Sequence, residues 1–269
     1  MHKDIAGKNY WNKLWDHRVT SRPADPNING LTNYIVRKYN DFFHRCFAGL
    51  KKDETSILEV GCAGSVWLPY FAQEFGFEIT GLDYTENGCA QTESILRQSN
   101  LKGRIVCADF FSPPGDMIEK YDVVVSFGVA EHFENTAHCL EAFGKFLKPG
   151  GILISFIPNM TGAVGFFQKI FDYSIYKLHV PLNRGVFEMA HKEAGFIVES
   201  CDYFLAINWG VINLENWKSD KPFRYKILVR IRSWLSKVFW ILEEKTGLHL
   251  KPNQLTSPFI LCVSKKSCD

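Results

Sequence analysis

From about residue 56, the chain alternates short apolar or β-branched runs with segments of helical period. This alternation is typical of parallel strands joined by crossover helices, so it predicts an open, doubly wound α/β sheet. The candidate strands are Ser56–Gly61, Glu78–Asp83, Arg104–Ala108, Asp122–Phe127, Gly151–Ile157, Phe196–Phe204 and Pro258–Ser264. Helices are expected between them at Trp67–Phe75, Glu86–Ser99, Asn135–Leu147 and Gly185–Ala194. A turn at Lys148–Gly151 is expected to end the third helix, because Pro cannot continue a helix.

Three segments do not follow this alternation. Residues 1–50 are predicted to form a helical cap, since an amphipathic run with Tyr34, Tyr39 and Phe43 follows Tyr10 and Trp11. The α/β domain is then predicted over residues 51–269, with helical inserts at about 160–182 and 210–256.

Charge and cysteine content exclude several functional classes. The 31 Lys and Arg residues nearly balance the 29 Asp and Glu residues, so no broad basic field suits a nucleic-acid partner. The chain has no uninterrupted apolar run of the roughly 18 residues that a membrane span needs and no apolar signal-peptide core, which favours a cytoplasmic location. The 8 cysteines never form a C-x-x-C pair, so neither a disulfide framework nor a metal site is expected.

The strand-to-helix junctions carry the candidate functional residues, because a doubly wound sheet binds ligands beyond the carboxyl ends of its strands. The first junction reads Glu59-Val60-Gly61-Cys62-Ala63-Gly64-Ser65. Its small residues let the backbone approach a ligand, and the N–H groups that open the following helix can receive a carboxylate. Glu59 would repel a pyrophosphate, but it could organise the loop or attract an amino group.

The next junctions indicate an adenosine fragment. Asp83 lies 22 positions after Gly61 (83 minus 61), and an acid at about this distance typically binds a ribose diol. The third junction offers Asp109 to an exocyclic amine and Phe110 to the ring face. The fourth junction places Glu131 and His132 at the mouth of the same crevice.

These motifs resemble those of the class I S-adenosylmethionine-dependent methyltransferase family. The resemblance rests on Glu59–Gly64, Asp83, Asp109, Asp122–His132 and Leu147–Gly151, which occur in family order at family-like spacings. It covers about residues 50–160 closely and 185–264 more loosely. It implies a seven-stranded Rossmann-like sheet with an antiparallel last hairpin, and S-adenosyl-L-methionine as cofactor. Ala63 is a departure, since the family often has glycine there.

The resemblance also implies a set of cofactor-binding residues: Glu59, Gly61, Cys62, Ala63, Gly64, Asp83, Tyr84, Asp109, Phe110 and Phe127. In this set the Gly61–Gly64 loop would lie under the methionine moiety, and Asp83 would bind the ribose hydroxyls. Tyr84 would pack against the adenine, with Asp109 and Phe110 at its edge, and the backbone around Phe127 would face the methionine amino group. A nicotinamide site would instead need Gly-x-Gly-x-x-Gly, and only the first glycine of that motif is present.

His132 is the catalytic candidate, with two interpretations. An imidazole with an unperturbed pKa near 6.5 could remove a proton from a hydroxyl or amine acceptor, or it could merely shape the pocket. Tyr10 and Trp11 also have two interpretations, as a lid that contacts the cofactor or as filling for the edge of the core.

The two inserts are where acceptor recognition is expected. The aromatic-rich segment Met160–Leu182 suits a wall over a partly apolar small molecule. In the segment 210–256, one helical face carries Leu228, Ile231, Leu235, Val238 and Leu242 beside six basic residues. We favour burial of this face against the chain's own domain or a partner subunit over contact with an anionic membrane surface.

The expected function is therefore methyl transfer from S-adenosylmethionine to a small-molecule acceptor, at oxygen. Two alternatives stay open at this point. A C-methylating or cyclopropane-forming lipid enzyme would suit the Glu131–His132 pair and the apolar inserts. A protein that binds S-adenosylmethionine without turnover, as a partner subunit, would suit the cofactor motifs alone.

Overall fold

The computed structural model describes residues 4–16 and 22–268, and within them seven strands form one sheet of order β3-β2-β1-β4-β5-β7-β6. The strands are β1 Ser56–Val60, β2 Glu78–Asp83, β3 Arg104–Cys107, β4 Tyr121–Phe127, β5 Leu147–Pro158, β6 Phe196–Phe204 and β7 Phe259–Lys266. Strands β1 to β5 pair in parallel, whereas β7 pairs antiparallel with β5 and β6. The predicted doubly wound sheet with an antiparallel last hairpin is confirmed. Its strand order reverses between β1 and β4, where such folds bind ligands.

The helices of the described residues are α1 Lys8–Asp16, α2 Tyr34–Cys46, α3 Trp67–Phe75, α4 Glu86–Gln98, α5 Thr136–Gly144, α6 Ala163–Phe171, α7 Tyr173–Tyr176, α8 Arg184–Glu193, α9 Asn216–Asp220 and α10 Pro222–Thr246. Short 3-10 helices occupy Leu31–Asn33, Gly115–Met117, Ala130–His132 and Trp209–Val211.

Two hydrophobic clusters cover the two faces of the sheet. On one face, Phe43 of α2 and Phe71 of α3 pack with Ile57 of β1. On the other face, Phe143 of α5 and Phe187 of α8 pack in the cluster that also holds Leu58 of β1. The neighbouring residues Ile57 and Leu58 therefore point to opposite faces of the sheet. This is the period-2 pattern of a strand that is buried on both faces. Each fully buried phenylalanine contributes about 1.5–3 kcal/mol of transfer free energy, which anchors the helices on the sheet.

The prediction of a turn at Lys148–Gly151 is wrong, because these residues lie within strand β5. Helix α5 ends at Gly144, and Leu147 already pairs with Tyr121 as the first residue of β5. The pairing then shifts, so that Val123 lies opposite Ile152 and the intervening residues form an irregularity within the strand. Gly150 has a φ of 74°, which explains why a glycine is suited to this place. The Pro-Gly-Gly sequence that predicted a chain reversal therefore marks a β-bulge within the strand.

The prediction of which face of α10 is buried also needs correction. On the chain's own domain the expected apolar face is only partly covered: Leu228 packs against the cluster that holds Ile212 and Leu214, whereas Ile231, Leu235 and Leu242 are 47%, 38% and 53% exposed. Burial of this face against a partner subunit stays a prediction. The helix instead buries Ser236, Trp240 and Glu243. These residues have polar partners that satisfy them on the domain, so hydropathy alone did not identify them. Among the helices of the described residues, none is long and apolar enough to cross a membrane.

Candidate functional site

A cavity of about 330 Å³ lies beyond the carboxyl ends of β1, β2 and β4. Predicted residues that line it are Glu59, Gly61, Ala63, Gly64, Asp83, Tyr84, Phe110, Phe127, His132 and Trp11. The structure thus brings most of the predicted set around one space, at the point where the strand order reverses. We call this space the cofactor cavity.

The loop after β1 is shaped by two glycines in left-handed backbone conformations. Gly61 has a φ of 79° and Gly64 a φ of 61°. A Cβ on Gly61 would lie 2.4 Å from Val129 Cγ2, and one on Gly64 would lie 2.8 Å from Trp15 Cζ3. Both positions therefore need glycine for the backbone conformation and for the close approach of neighbouring side chains.

Glu59 organises this loop from below. The Ser65 hydroxyl donates a hydrogen bond of 2.5 Å to the Glu59 carboxylate and accepts from the N–H groups of Trp67 and Leu68, each at 3.1 Å. Ser65 thereby satisfies two free N–H groups at the start of α3. Burial raises the pKa of Glu59 to about 8, and the hydrogen bond from Ser65 opposes that rise.

Asp83 connects the first and second junctions. Its Oδ1 accepts from the Thr85 N–H at 2.8 Å and the Thr85 hydroxyl at 2.5 Å, and its Oδ2 accepts from the Ala63 N–H at 3.3 Å. The carboxylate is only 8% exposed, and burial raises its pKa against the effect of these bonds. Asp83 is thus a rigidly held acceptor on the wall of the cofactor cavity.

The N-terminal segment closes over the cavity through Asp4, a residue for which the sequence carried no signal. Its Oδ2 accepts from Trp11 Nε1 at 2.7 Å and from the Tyr84 hydroxyl at 2.5 Å. The Ile5 N–H donates to the His132 carbonyl at 2.9 Å. These bonds place α1 across the mouth of the crevice, with Trp11 and Trp15 on the cavity wall.

Three predicted cofactor residues lie elsewhere. Cys62 is fully buried and Asp109 is exposed, where it accepts from the Phe111 N–H at 2.9 Å, and neither lines the cofactor cavity. Tyr10 lines a neighbouring cavity. Their predicted contacts with the cofactor stay predictions.

The neighbouring cavity, also of about 330 Å³, shares a wall with the first. Residues common to both are Trp11, Leu14, Trp67, Phe127, Gly128 and His132. Its other walls come from distant parts of the chain: Tyr10 and Tyr39, the segment Met160–His179, Val211 and Asn213, and Phe259. We call it the acceptor cavity, because it is mainly apolar and adjoins the first one.

A polar cluster of Glu131, His132 and His179 lies in the acceptor cavity. The Nδ1 atom of His132 is 2.7 Å from the Leu178 carbonyl, and that of His179 is 2.9 Å from the Ile175 carbonyl. Since a carbonyl only accepts, both rings donate from Nδ1 and leave Nε2 unprotonated when neutral. Nε2 of His132 lies 3.8 Å from Glu131 Oε1.

Burial dominates the titration of this cluster. It raises the pKa of Glu131 to about 8 and lowers the pKa of His132. It lowers the pKa of His179 to about 4, and the neighbouring His132 contributes to that shift. Both imidazoles are therefore neutral at pH 7 and can accept a proton or a cation.

Comparison with known proteins identifies relatives of this fold and site. A family model described as a methyltransferase domain matches residues 31–172, more than half of the chain. A ubiquinone biosynthesis O-methyltransferase of Rickettsia bellii is 26% identical over 152 residues, which are 56% of this chain and 58% of the relative. The chain thus matches little more than half the length of that relative.

Two solved structures share the fold. A Galdieria sulphuraria protein, provisionally named a sarcosine dimethylglycine methyltransferase, is 15% identical with a TM-score of 0.61, and 99% of each chain is covered. Geranyl diphosphate C-methyltransferase from Streptomyces coelicolor A3(2), solved with Mg²⁺, geranyl diphosphate and S-adenosyl-L-homocysteine, is 11% identical with a TM-score of 0.58. That match covers 96% of this chain and 97% of the other. At these identities the likeness concerns the fold alone.

Proposed function

This chain belongs to the class I S-adenosylmethionine-dependent methyltransferase family, and we propose that it methylates an oxygen atom of a small-molecule acceptor. The observation that carries this proposal is the pair of adjoining cavities. One has the residues that suit an adenosyl cofactor, and the other is an aromatic-lined space that suits a partly apolar acceptor. His132 and Phe127 belong to both, so donor and acceptor would meet at their shared wall.

The cofactor cavity fits S-adenosylmethionine in its shape and its donor set. Asp83 offers a buried, fixed carboxylate to a ribose diol. The glycines of the first loop let the side chains of Val129 and Trp15, which also line the cavity, approach the loop backbone closely. Tyr84 and Phe110 supply aromatic surface for the adenine. When bound, the cofactor supplies an electrophilic methyl group on its sulfonium sulfur.

The chain's own contribution is proximity, orientation and exclusion of water. α1 covers the crevice, and the shared wall of Trp11, Trp67 and Phe127 would hold the two bound molecules next to each other. We propose that His132 assists ionisation of the acceptor hydroxyl, because its Nε2 carries a lone pair beside that wall.

Oxygen as the methylated atom is supported by the relatives named for O-methylation in ubiquinone biosynthesis. The apolar lining of the acceptor cavity agrees with a partly apolar acceptor. A cytoplasmic location and the absence of a nucleic-acid partner stay predictions from the sequence.

The test is a labelled-methyl screen. Purified protein, methyl-labelled S-adenosylmethionine and fractionated host extract should yield S-adenosylhomocysteine and one labelled small molecule, whose mass spectrum locates the methyl group on oxygen. Asp83→Ala should abolish the labelling at low cofactor concentration. Label on carbon in a lipid fraction would favour the C-methylating alternative, and cofactor binding without product in any fraction would favour a non-catalytic partner subunit.

A further inference from the structure

We propose that Glu131, His132 and His179 hold a divalent transition-metal ion at the end of the acceptor cavity. The proposal rests on the proposed function, since the ion would act on the acceptor that this cavity receives. Each residue offers one ligand atom, and the three atoms lie within 4.8 Å of one another. In the described part of the chain, this is the one group of three His, Cys, Asp or Glu residues with such an arrangement.

The two imidazoles are already oriented for a cation. Each ring donates its Nδ1 proton to a backbone carbonyl, of Leu178 at 2.7 Å and of Ile175 at 2.9 Å. A hydrogen bond from the other ring nitrogen is what typically fixes the tautomer and direction of a metal-binding histidine. The ring centroids lie 4.7 Å apart, so the two Nε2 atoms serve one small space.

Glu131 supplies an oxygen ligand that has no other partner among the residues that the structure describes. The residue is 1% exposed, and its Oε2 has no hydrogen-bond partner within the described residues. Among the ion pairs of those residues, Glu131 occurs only with His132, at 3.8 Å, and with no Lys or Arg. A buried polar oxygen without a partner is costly, and a cation coordinated at this point would remove that cost.

The donor set selects the class of ion. Two imidazole nitrogens and one carboxylate oxygen suit Zn²⁺, Mn²⁺ or Fe²⁺, whereas Mg²⁺ prefers oxygen ligands throughout. Three protein ligands also leave coordination positions open. All three residues line the acceptor cavity, so an acceptor oxygen could take such a position.

The ion would give the cluster a chemical role. A hydroxyl bound to a divalent cation loses its proton more readily, and coordination would hold the oxygen beside the shared wall. The hydroxyl proton would then leave to water, and His132 would act as a ligand rather than as a free base. Methyl transfer itself would be the same in both cases.

The test measures ion binding directly. Chelator-stripped protein is titrated with Mn²⁺ and followed by electron paramagnetic resonance, because Mn²⁺ does not favour the cysteine thiols. We expect one Mn²⁺ per chain, displaced by Zn²⁺ and not by equimolar Mg²⁺. His179→Ala and Glu131→Gln should each weaken Mn²⁺ binding at least 100-fold. Loss of an outer-shell partner typically weakens metal binding by about 10–100-fold, and loss of a direct ligand should cost at least as much. His44→Ala, which removes an exposed imidazole paired with Glu74, should leave binding unchanged.

Cofactor affinity serves as the folding control for every variant. Should His179→Ala lose cofactor binding, Glu131→Gln alone decides the question. A wild-type protein that binds neither ion, or binding that survives both substitutions, would overturn the metal site. If such a protein still transfers methyl groups, the proposed function stands without the metal site. If the protein binds the ion but transfers no methyl group to any acceptor, the metal site stands and the proposed function is wrong.

Discussion

The two cavities have the same volume, about 330 Å³, but they are built in different ways. Apart from the N-terminal segment, the cofactor cavity is lined by residues between Glu59 and Phe133, which follow successive strands. The acceptor cavity takes its walls from residues between Tyr10 and Phe259, with a large share from the two inserts. The difference teaches that a common ligand site can follow from the sheet alone, while specificity depends on segments added to it.

The largest expected effect concerns His132, which belongs to both cavities. His132→Ala should lower turnover by roughly 10²–10⁴, the range typical of lost acid–base assistance, whether the residue acts as a base or as a ligand. Affinity for S-adenosylmethionine should hardly change. Steady-state kinetics and calorimetry measure the two quantities, with His138→Ala as the control for a half-buried histidine that lines neither cavity. Turnover unchanged over the whole pH range would show that His132 only shapes the pocket.

The second prediction addresses the cofactor cavity alone. Asp83→Ala should weaken S-adenosylmethionine binding by about 100-fold, since two hydrogen bonds to a charged group contribute about 1.5–3 kcal/mol each and water replaces part of them. The KM for the acceptor should stay the same at saturating cofactor. Asp116→Ala is the matched control, because that exposed carboxylate pairs with Arg104. Equal affinities in calorimetry would remove Asp83 from the ribose site.

The third prediction addresses the acceptor cavity alone. Gln168 is 1% exposed and joins the two inserts: its Oε1 accepts from the Asn213 N–H at 2.7 Å and its Nε2 donates to the Asn213 carbonyl at 3.1 Å. Gln168→Ala leaves these groups unpaired, which should lower the free energy of unfolding by about 1–3 kcal/mol. The acceptor KM should rise while cofactor affinity is retained.

Denaturant unfolding and calorimetry test this pair of effects, with Gln98→Ala as an exposed control. A Gln168→Ala protein that loses cofactor and acceptor binding to the same degree would break the separation between the two cavities.

The smallest expected effect lies outside both cavities, at His191. Burial lowers the pKa of this side chain to about 3, so the folded state keeps it neutral where the unfolded state, near pKa 6.5, takes up a proton. Its contribution to stability is complete above pH 6.5 and is lost as the pH falls towards 3. At pH 5.5 the loss is about 1.4 kcal/mol relative to pH 8.

The difference in unfolding free energy between wild type and His191→Gln isolates this group, because Glu59 and Glu131 titrate alike in both proteins. That difference should shrink by about 1.4 kcal/mol from pH 8 to pH 5.5. A difference that stays constant with pH would mean that His191 is not held neutral.

Much of the fold could be predicted because its signals are local. Strands β2 and β6 have the predicted bounds, and so has helix α3, since apolar runs and turn residues mark them directly. The glycines and acids at the strand ends identified most of the cofactor cavity for the same reason. The bulge at the start of β5 could not be told from a turn, because both use Pro and Gly.

The sequence by itself determined the sheet, its ligand-binding end and the residues that follow its strands. Only the tertiary structure decided that His179 meets Glu131 and His132, that Asp4 joins Trp11 to Tyr84, and that α10 packs through Trp240. Hydrophobic periodicity reports which face of an element is apolar, but it does not report which distant partner satisfies a polar group. His179 lies 47 positions from His132 (179 minus 132), and their meeting depends on how the insert folds back onto the crevice. Long-range hydrogen bonds and packing, which local patterns do not encode, therefore assembled the acceptor side.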